Sequence, residues 1–306
     1  MIPNILATRY ASPQMVEIWS AENKIVAERR LWLAVLEAQT ELGVELAEGV
    51  VDDYRKVMHT VDLDSIAKRE AITRHDVKAR IEEFCALAGH EHIHKGMTSR
   101  DLTENVEQLQ IKQSLELVRD RMVAVLARLT ARAAEYASEP LTGRSHNVAA
   151  QTTTLGKRFA NVAEEFWQAL HRVDGLLDRY PLRGIKGPVG TQQDMLDLFD
   201  GDADKVVQLE QRVAAHLGFD RSLGSVGQVY PRSLDFDVVT ALAQAGSAPA
   251  NLATMIRLMV GHELVTEGFR EGQVGSSAMP HKMNTRSSER ISGLHTILLG
   301  HVTMAG

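Results

Sequence analysis

The chain has 306 residues, and its apolar fraction of 44% is enough to bury a large core in one elongated domain or two compact ones. A net charge of −6 without a basic block argues against a general nucleic-acid surface, although a local anion site of a few arginines stays open. Aromatic residues make up only 5% while helix formers dominate, so an all-α fold is expected.

Cellular location is predicted from cysteine use and from the N-terminus. Cys85 is the single cysteine, which excludes an intramolecular disulfide, and the opening MIPNILATRY lacks the basic-then-apolar order of a signal peptide. No apolar run is long enough to span a membrane. A cytoplasmic protein with no membrane partner is therefore expected.

Two helices are predicted before residue 100. Ser12-Pro13 places a capping residue and then a proline at a helix start, and apolar residues at helical spacing carry this helix to Gly43. Asp62 or Asp64 caps the second helix, which runs to Gly89. Both helices belong to the N-terminal part of the chain.

Histidines cluster around this second helix and after it. His75 lies midway along the helix, where a histidine is most often a boundary residue, so spacing alone assigns it no role. His90, His92 and His94 alternate and would face one side of an extended segment, as zinc ligands can. No fourth ligand follows at a suitable spacing, so no metal site is predicted.

Two long helices are predicted in the middle of the chain. Residues 101–138 contain neither glycine nor proline, and their apolar residues recur in steps of three and four. Such a helix is on the order of 55 Å long, which is too long for a compact single-chain core. Residues 151–180 repeat the pattern. A helix bundle whose apolar seam is buried against other protomers, hence a homo-oligomer, is expected.

The segments around and after these helices are less regular. LTGRSHNVAAQ places His146 at the turn into the second long helix, and the glycine-rich turn 182–191 lacks the P-loop order, so it lines a site at most. A short helix is predicted around 206–217. A last long helical stretch, 233–269, is expected to be interrupted near Gly246 and Pro249 before another helix begins near Ser287.

The stretch GQVGSSAMPHKMNTRSSER, residues 272–290, concentrates reactive side chains in a segment that cannot be regular structure. Its glycines loosen the backbone and Pro280 prevents helix continuation. A mobile catalytic loop at about 271–286 is predicted, because its side chains can take a proton and hold a negative charge: Ser276, Ser277, His281, Lys282 and Asn284. The alternative is an inert polar loop.

The string GSSAMPHKMN resembles the GSSxMPxKxN element of the fumarase/aspartase superfamily, whose members eliminate fumarate or a related acid from a substituted succinate. Its PHK order is similar to that of the adenylosuccinate lyase family and of carboxymuconate cycloisomerases. Thr285 stands where the family usually has proline, which affects only how rigidly the loop enters the next helix.

Other segments carry the same resemblance. TRHDVKA resembles KHDVVAF, HKGMTSRD resembles HxGxTSxD, and GRSHNVAAQ resembles GRTHxxxAxPTT with Ser145 in place of threonine. SVGQVYPRSLDFD is a weaker match to QxxxRD. Arg9-Tyr10 resembles the pair that opens adenylosuccinate lyases and contacts the substrate phosphate, so it favours a nucleotide substrate.

The resemblance implies a fold and an assembly. It implies a small N-terminal helical domain, 1–100, and a long-helix bundle, 101–306, in tetramers whose sites are each assembled from three chains. It covers the whole chain but about two-thirds of the family's length. A further bundle helix, a small third domain and additional phosphate-binding arginines are therefore expected to be missing here.

The implied reaction splits adenylosuccinate into AMP and fumarate, and the analogous succinyl-carboxamide ribotide in purine biosynthesis, without a metal or organic cofactor. Ser276 would be the base and His146 the acid, oriented by Glu289, while Lys282 and Asn284 would hold the substrate carboxylate. Asp101 would also line the site. The implied substrate contacts are Arg9, Tyr10, His75, Asp76, His94, Thr98, Ser99, Gln228, Arg232 and Asn284.

Three alternatives remain from the sequence. Argininosuccinate lyase and carboxymuconate cycloisomerase share the fold but act on other substrates. A catalytically silent helical scaffold is a different class of protein, and the presence of Ser276, Lys282, Asn284 and His146 counts against it.

Overall fold

The computed structural model describes residues 3–268 and 270–306. The predicted all-α class is confirmed, and the described residues add one antiparallel hairpin. No helix in these ranges combines the length and the hydrophobicity needed to cross a bilayer. The elements are α1 (Ile5–Tyr10), α2 (Pro13–Ile18), α3 (Ala21–Glu41), α4 (Val50–Val57), α5 (Leu63–Thr73), α6 (Asp76–Ala88), α7 (Ser99–Glu135), β1 (Pro140–Ser145), β2 (Val148–Thr154), α8 (Leu155–Arg179), α9 (Gln193–Leu198), α10 (Ala203–His216), α11 (Ser233–Gly261) and α12 (Arg286–Ala305).

The chain divides into two compact units. Unit 1 contains the described residues up to Leu115 together with Tyr180–Pro231, and unit 2 contains Glu116–Arg179 together with Arg232–Gly306. The boundary between them falls within α7, which is 37 residues long. The domain division predicted from the sequence, 1–100 and 101–306, stays a prediction.

Unit 1 has an aromatic core with a buried charge in it. Trp32 of α3 stacks on Phe84 of α6 with ring centroids 6.2 Å apart, and the Arg29 guanidinium lies 4.7 Å from the Phe84 centroid. Arg29 forms a buried ion pair with Glu83 and donates to three main-chain carbonyls of the segment 57–60, each at 3.0 Å. Because these acceptors replace water, the buried guanidinium is tolerated.

Unit 2 is held together by an apolar seam that joins α7, α8 and α11. Its buried members are Met122, Leu129, Val162, Phe166, Ala169, Leu170, Val173, Ala245 and Ala248. The end of α7 and the start of α8 come very close, since Gly156 N–H donates to the Tyr136 carbonyl at 2.8 Å. A Cβ at Gly156 would lie 2.4 Å from the Ala133 carbonyl oxygen, so this approach requires glycine.

Both predicted N-terminal helices are interrupted. The first one ends at Ile18 and starts again after Ser20, whose side chain accepts the Asn23 N–H. The second one breaks at Arg74, which has a φ of 54°, and α6 then begins after His75. The prediction of continuous helices was wrong because local capping side chains can end and restart a helix within an unbroken apolar pattern.

The region that follows the long helix also differs from the prediction. Residues 140–154 form a hairpin instead of leading directly into a helix, and three β-branched threonines end its second strand. In contrast, α11 continues through Gly246 and Pro249, where an interruption was predicted, and ends at Gly261. Phe269, the predicted end of that helix, lies outside the described residues.

Two glycines of α8 form a matched test of this packing. Gly156→Ala should lower the free energy of unfolding by about 2–3 kcal/mol, because its Cβ would meet only main-chain atoms that cannot rotate away. Gly175→Ala lies in the same helix with nothing within 4 Å of the added Cβ and should be neutral or raise stability by about 0.5–1 kcal/mol. Urea denaturation of both variants measures the difference, and equal stabilities would contradict the close approach.

Candidate active site

His94 of unit 1 is held in a strained and well-supported turn. Its φ is 69°, a left-handed conformation that is uncommon outside glycine and asparagine, and Gly96 follows with a φ of 71°. Trp32 Nε1–H donates to His94 Nδ1 at 3.0 Å, and Gln39, two turns further along α3, donates to the Lys95 carbonyl at 3.0 Å. The orientation of the imidazole is therefore set by α3.

His94 is neutral at neutral pH. Burial lowers its pKa to about 4, the charge of Asp101 acts in the opposite direction, and His75 lowers the pKa further. His94 therefore lies close enough to both residues to respond to their charges. An imidazole with this pKa offers a hydrogen-bond donor on one nitrogen and an acceptor on the other.

The three alternating histidines have separate partners. His90 Nε2 lies 3.0 Å from an Asp53 carboxylate oxygen, and His92 Nδ1 lies 3.2 Å from Lys95 Nζ. His94 is bound to Trp32, as described above. Among the described residues, no three or more His, Cys, Asp and Glu side chains are grouped so that they could hold a metal ion.

The sequence predicted His75 midway along a helix, but in the structure His75 caps the N-terminus of α6. Its Nδ1 accepts the Lys78 N–H at 3.3 Å, and the neighbouring Asp76 accepts a hydrogen bond from Arg80 at 2.9 Å. Both side chains are about half exposed. Both are therefore accessible to a ligand at this helix end.

Asp101 differs most from its predicted role. It was expected to line the site, but its side chain is 0% exposed. Its carboxylate accepts the N–H groups of Thr98 at 2.8 Å, Lys186 at 2.8 Å and Gly187 at 3.1 Å. Asp101 therefore positions Thr98 and Ser99 at the start of α7, because it fixes both the helix end and the glycine-rich segment beside it.

Arg183 is the counter-ion of Asp101 and is equally buried, with an exposed fraction of 0%. Its guanidinium also donates to the carbonyls of Gly184 and Gly187, both at 3.2 Å, and of Gly227 at 3.0 Å. One side chain thus links the start of α7, the turn 184–187 and the segment that carries Gln228. No sequence motif pointed to Arg183.

Two amides on the same face of α7 hold the glycine-rich turn. Asn105 exchanges two hydrogen bonds of 2.9 Å with the main chain of Gly184, and Gln108 accepts the Arg183 N–H at 2.6 Å. Lys186 and Glu210 form a further pair at 2.6 Å, in which burial raises the pKa of the Glu210 carboxyl. The turn 182–191 is therefore a rigid element fixed by α7 and α10.

The remaining predicted contacts lie at element ends. Arg9 and Tyr10 close α1, and both are exposed. Gln228 is exposed beside Gly227. Arg232 precedes α11 in unit 2 and lies 3.6 Å from Asp235. Their role as substrate contacts stays a prediction.

In unit 2, His146 stands at the tip of the hairpin. His146 and Asn147 have φ values of 52° and 62°, the pattern of a two-residue turn that suits the twist of paired strands. The Arg144 guanidinium donates to the Asn147 carbonyl at 3.0 Å, and Asn147 Oδ1 lies 3.1 Å from His262 Nε2. The imidazole of His146 is exposed.

The loop that contains Ser276 is organised by main-chain donors. Ser276 Oγ accepts the N–H groups of Ala278 at 3.3 Å and Met279 at 3.2 Å. Asn284 Nδ2 donates to the Gly275 carbonyl at 2.6 Å and so closes the loop at its base. Two N–H groups aimed at one hydroxyl oxygen stabilise negative charge on it.

Ser276, Asn284 and Glu289 line one open cleft of unit 2, with a volume of about 640 Å³. Glu289 lies in the first turn of α12, and Lys282 is exposed on the loop. No hydrogen bond or ion pair joins Glu289 to His146 within the part of the chain that the structure describes. Their predicted pairing stays a prediction.

Glu267 is a positioning residue that the sequence did not reveal, because the segment that contains it was predicted to be helical. It accepts the N–H groups of Ser287 at 3.1 Å and Ser288 at 2.9 Å, and the Ser288 hydroxyl at 2.6 Å. Burial alone would raise the pKa of its carboxyl, but these hydrogen bonds hold the pKa below its ordinary value. Glu267 thereby fixes the start of α12, which carries Glu289.

The family described as Lyase matches residues 8–300, so the chain belongs to this lyase family. The chain is 38% identical over 297 residues to an adenylosuccinate lyase of Saccharomyces cerevisiae, covering 94% of this chain and 61% of the relative. It is 34% identical to the adenylosuccinate lyase of Schistosoma mansoni, covering 97% and 62%, respectively. The family predicted from GSSAMPHKMN is thus confirmed.

Solved structures share the fold of this chain. The chain superposes on a 3-carboxy-cis,cis-muconate lactonizing enzyme from Pseudomonas putida with a TM-score of 0.83 and 21% identity, covering 98% of this chain and 67% of that one. The TM-score with a fumarate lyase from Mesorhizobium sp. BNC1 is 0.78 at 22% identity, and the superposition covers 96% of this chain and 65% of that one. The chain spans about three fifths of the length of the two curated relatives above.

Removing the guanidinium of Arg183 should destabilise unit 1 severely. Arg183→Met leaves the Asp101 carboxylate buried without its counter-ion and should cost about 3–5 kcal/mol in the free energy of unfolding. Arg212→Met breaks an ion pair with Glu41 that is partly exposed, at 35% and 51%, and should cost at most about 1 kcal/mol. Urea denaturation compares the two, and an Arg183→Met variant as stable as the control would contradict the anchoring role.

Proposed function

We propose that this chain carries an adenylosuccinate lyase activity, in which fumarate is eliminated from adenylosuccinate to give AMP, and from the analogous succinyl-carboxamide ribotide. The proposal is supported by membership of the lyase family and by similarity to adenylosuccinate lyases of yeast and Schistosoma mansoni. Because the chain spans about three fifths of those relatives, its own competence is the point to be tested. A cytoplasmic location, predicted from the sequence, belongs to the same proposal.

The geometry around Ser276 is the observation that carries the proposed chemistry. A serine hydroxyl is a weak base unless its alkoxide is stabilised. The N–H groups of Ala278 and Met279 point at Ser276 Oγ, at 3.3 and 3.2 Å, so charge developing on that oxygen meets two main-chain dipoles.

In the proposed reaction, the Ser276 alkoxide takes the proton from the carbon beside a substrate carboxylate. The electron pair of that C–H bond forms the double bond of fumarate, and the C–N bond breaks. His146 gives a proton to the departing nitrogen, and Glu289 orients His146. Lys282 and Asn284 stabilise the carboxylate on which charge accumulates.

The remaining predicted residues bind the substrate. Thr98 and Ser99 at the start of α7 offer N–H and hydroxyl donors to a carboxylate, supported by the helix N-terminus that Asp101 organises. The nucleotide side is proposed to contact Arg9, Tyr10, His75, Asp76, His94, Gln228 and Arg232.

Elimination assays on adenylosuccinate, argininosuccinate and carboxymuconolactone test the proposal with the purified 306-residue chain. Fumarate is measured for the first two substrates and the ring-opened carboxymuconate for the third. Only adenylosuccinate should yield fumarate. Ser276→Ala and His146→Ala should each lower kcat by about 100-fold or more, because each removes a proton-transfer group.

Ser277→Ala is the matched control, since Ser277 is the neighbouring hydroxyl of the same loop, and it should retain activity. Circular dichroism shows whether each variant keeps its helices. Loss of activity in Ser277→Ala but not in Ser276→Ala would contradict the assigned base. No fumarate from adenylosuccinate would contradict the proposed activity for this chain.

We propose that the chain acts as a homotetramer with shared active sites. Apolar side chains on the surface of unit 2 support association. Those of α7 and α12 that are more than a third exposed are Val123, Val125, Ile291, Ile297, Leu299 and Met304. Burial of such side chains between protomers stabilises an oligomer.

A charge placed on this surface should weaken the assembly. Leu299→Glu replaces an apolar side chain that is 48% exposed with a carboxylate, which is costly to bury at an interface. The unaltered chain should sediment as a tetramer and Leu299→Glu as a smaller species. His301→Glu places the same charge at an already polar, exposed position of α12 and should leave the tetramer intact. A monomeric unaltered chain would contradict the proposal.

A further inference from the structure

The hydrogen bond between Trp32 and His94 determines which nitrogen of the imidazole carries the proton. An indole N–H can only donate, so the nitrogen that faces it, Nδ1 of His94, must be the acceptor and carries no proton. The Nδ1···Nε1 distance is 3.0 Å, and the two rings meet edge to face with centroids 5.9 Å apart. This geometry excludes the Nδ1–H tautomer and the imidazolium ion.

Nothing around His94 reverses this preference. Trp32 is 1% exposed, so water does not compete for its N–H group. The charged or titratable groups whose fields reach the ring are Asp101 at the start of α7 and His75 at the start of α6. Burial outweighs Asp101, which raises the pKa of His94, and His75 lowers that pKa as burial does. His94 is therefore a neutral ring whose single proton is on Nε2.

Nε2 is the nitrogen left for a ligand. Among the described residues, none forms a hydrogen bond with it. The backbone that carries the ring is also not free to turn, because the left-handed conformation of His94 is held from α3 at both Trp32 and Gln39. A fixed N–H group on a half-buried ring is a preorganised donor.

We infer that Trp32 is a positioning residue that locks His94 as the neutral Nε2–H tautomer, so that His94 acts as a hydrogen-bond donor to an oxygen or nitrogen acceptor of the substrate and neither as a base nor as a cation. The tautomer follows from the geometry alone. Its use in turnover rests on the proposed function. Trp32 itself does not touch the substrate in this scheme.

The tautomer is measured directly by two-dimensional NMR of the 15N-labelled chain at neutral pH. His94 should show an unprotonated Nδ1 and a protonated Nε2. In Trp32→Phe, Nδ1 loses its donor, so the Nδ1–H tautomer should become populated and the pKa of His94 should rise. Trp19→Phe is the matched control, because Trp19 Nε1–H also donates to a side chain, Ser114 Oγ at 3.0 Å. It should leave the His94 signals unchanged.

Fumarate release by the same variants tests whether the donor is used. Trp32→Phe should lower kcat/KM about tenfold relative to Trp19→Phe, as the loss of one oriented hydrogen bond does. A second pair separates donor from backbone effects. His94→Gln keeps an N–H donor about as far from the backbone as Nε2. The side chain of His94→Asn is too short to place a donor there, although asparagine adopts the left-handed backbone conformation more readily. His94→Gln should therefore be the more active of the two.

The tautomer of His94 and its use in turnover are tested separately. A protonated Nδ1 in the unaltered chain, or identical spectra for Trp32→Phe and Trp19→Phe, would overturn the inference whatever the activity. Altered spectra with equal kcat/KM, or His94→Asn more active than His94→Gln, would overturn the role of the donor in turnover. If the unaltered chain releases no fumarate, the proposed function fails, while the spectra still decide the tautomer.

Discussion

The buried ion pair between Asp101 and Arg183 is the interaction on which the arrangement of unit 1 depends. Neither side chain reaches water, so each must find all of its partners within the protein. The partners are main-chain groups of Thr98, Gly184 and Gly187 among others. The segments that carry Thr98, Ser99 and Gln228 are thus folded around a fixed pair of charges.

Unit 2 positions its reactive groups by a different physical means. Main-chain N–H groups donate to Ser276 Oγ, and the Glu267 carboxylate accepts the first N–H groups of α12. His146 lies in a tight turn. These are local interactions that exposed loops can make without a buried charge. The two units therefore differ in how firmly their parts of the predicted site are fixed, since buried charge pairs are costly to disturb and exposed turns are not.

The sequence predicted what depends on local pattern or on a family motif. The helical class, the long helices and the lyase family all came from spacing and from GSSAMPHKMN. The buried role of Asp101 could not be predicted in this way. Polar residues at helical spacing on α7 are typical of a solvated face, and the partners that bury them lie far along the chain, in the segment 183–187. The break at His75 was missed because capping needs only one side chain. The state of His94 depends on Trp32, which no motif includes.

The hairpin of β1 and β2 has a consequence for how unit 2 responds to disturbance. None of the side chains in its two strands is fully buried, and a two-stranded hairpin in water is only marginally stable by itself. Its opening is therefore a local event, separate from the cooperative unfolding of the seam between α7, α8 and α11. The position of His146 and the melting temperature of unit 2 are consequently independent properties. A sequence change can disorder the hairpin that carries His146 and leave the melting temperature of unit 2 unchanged.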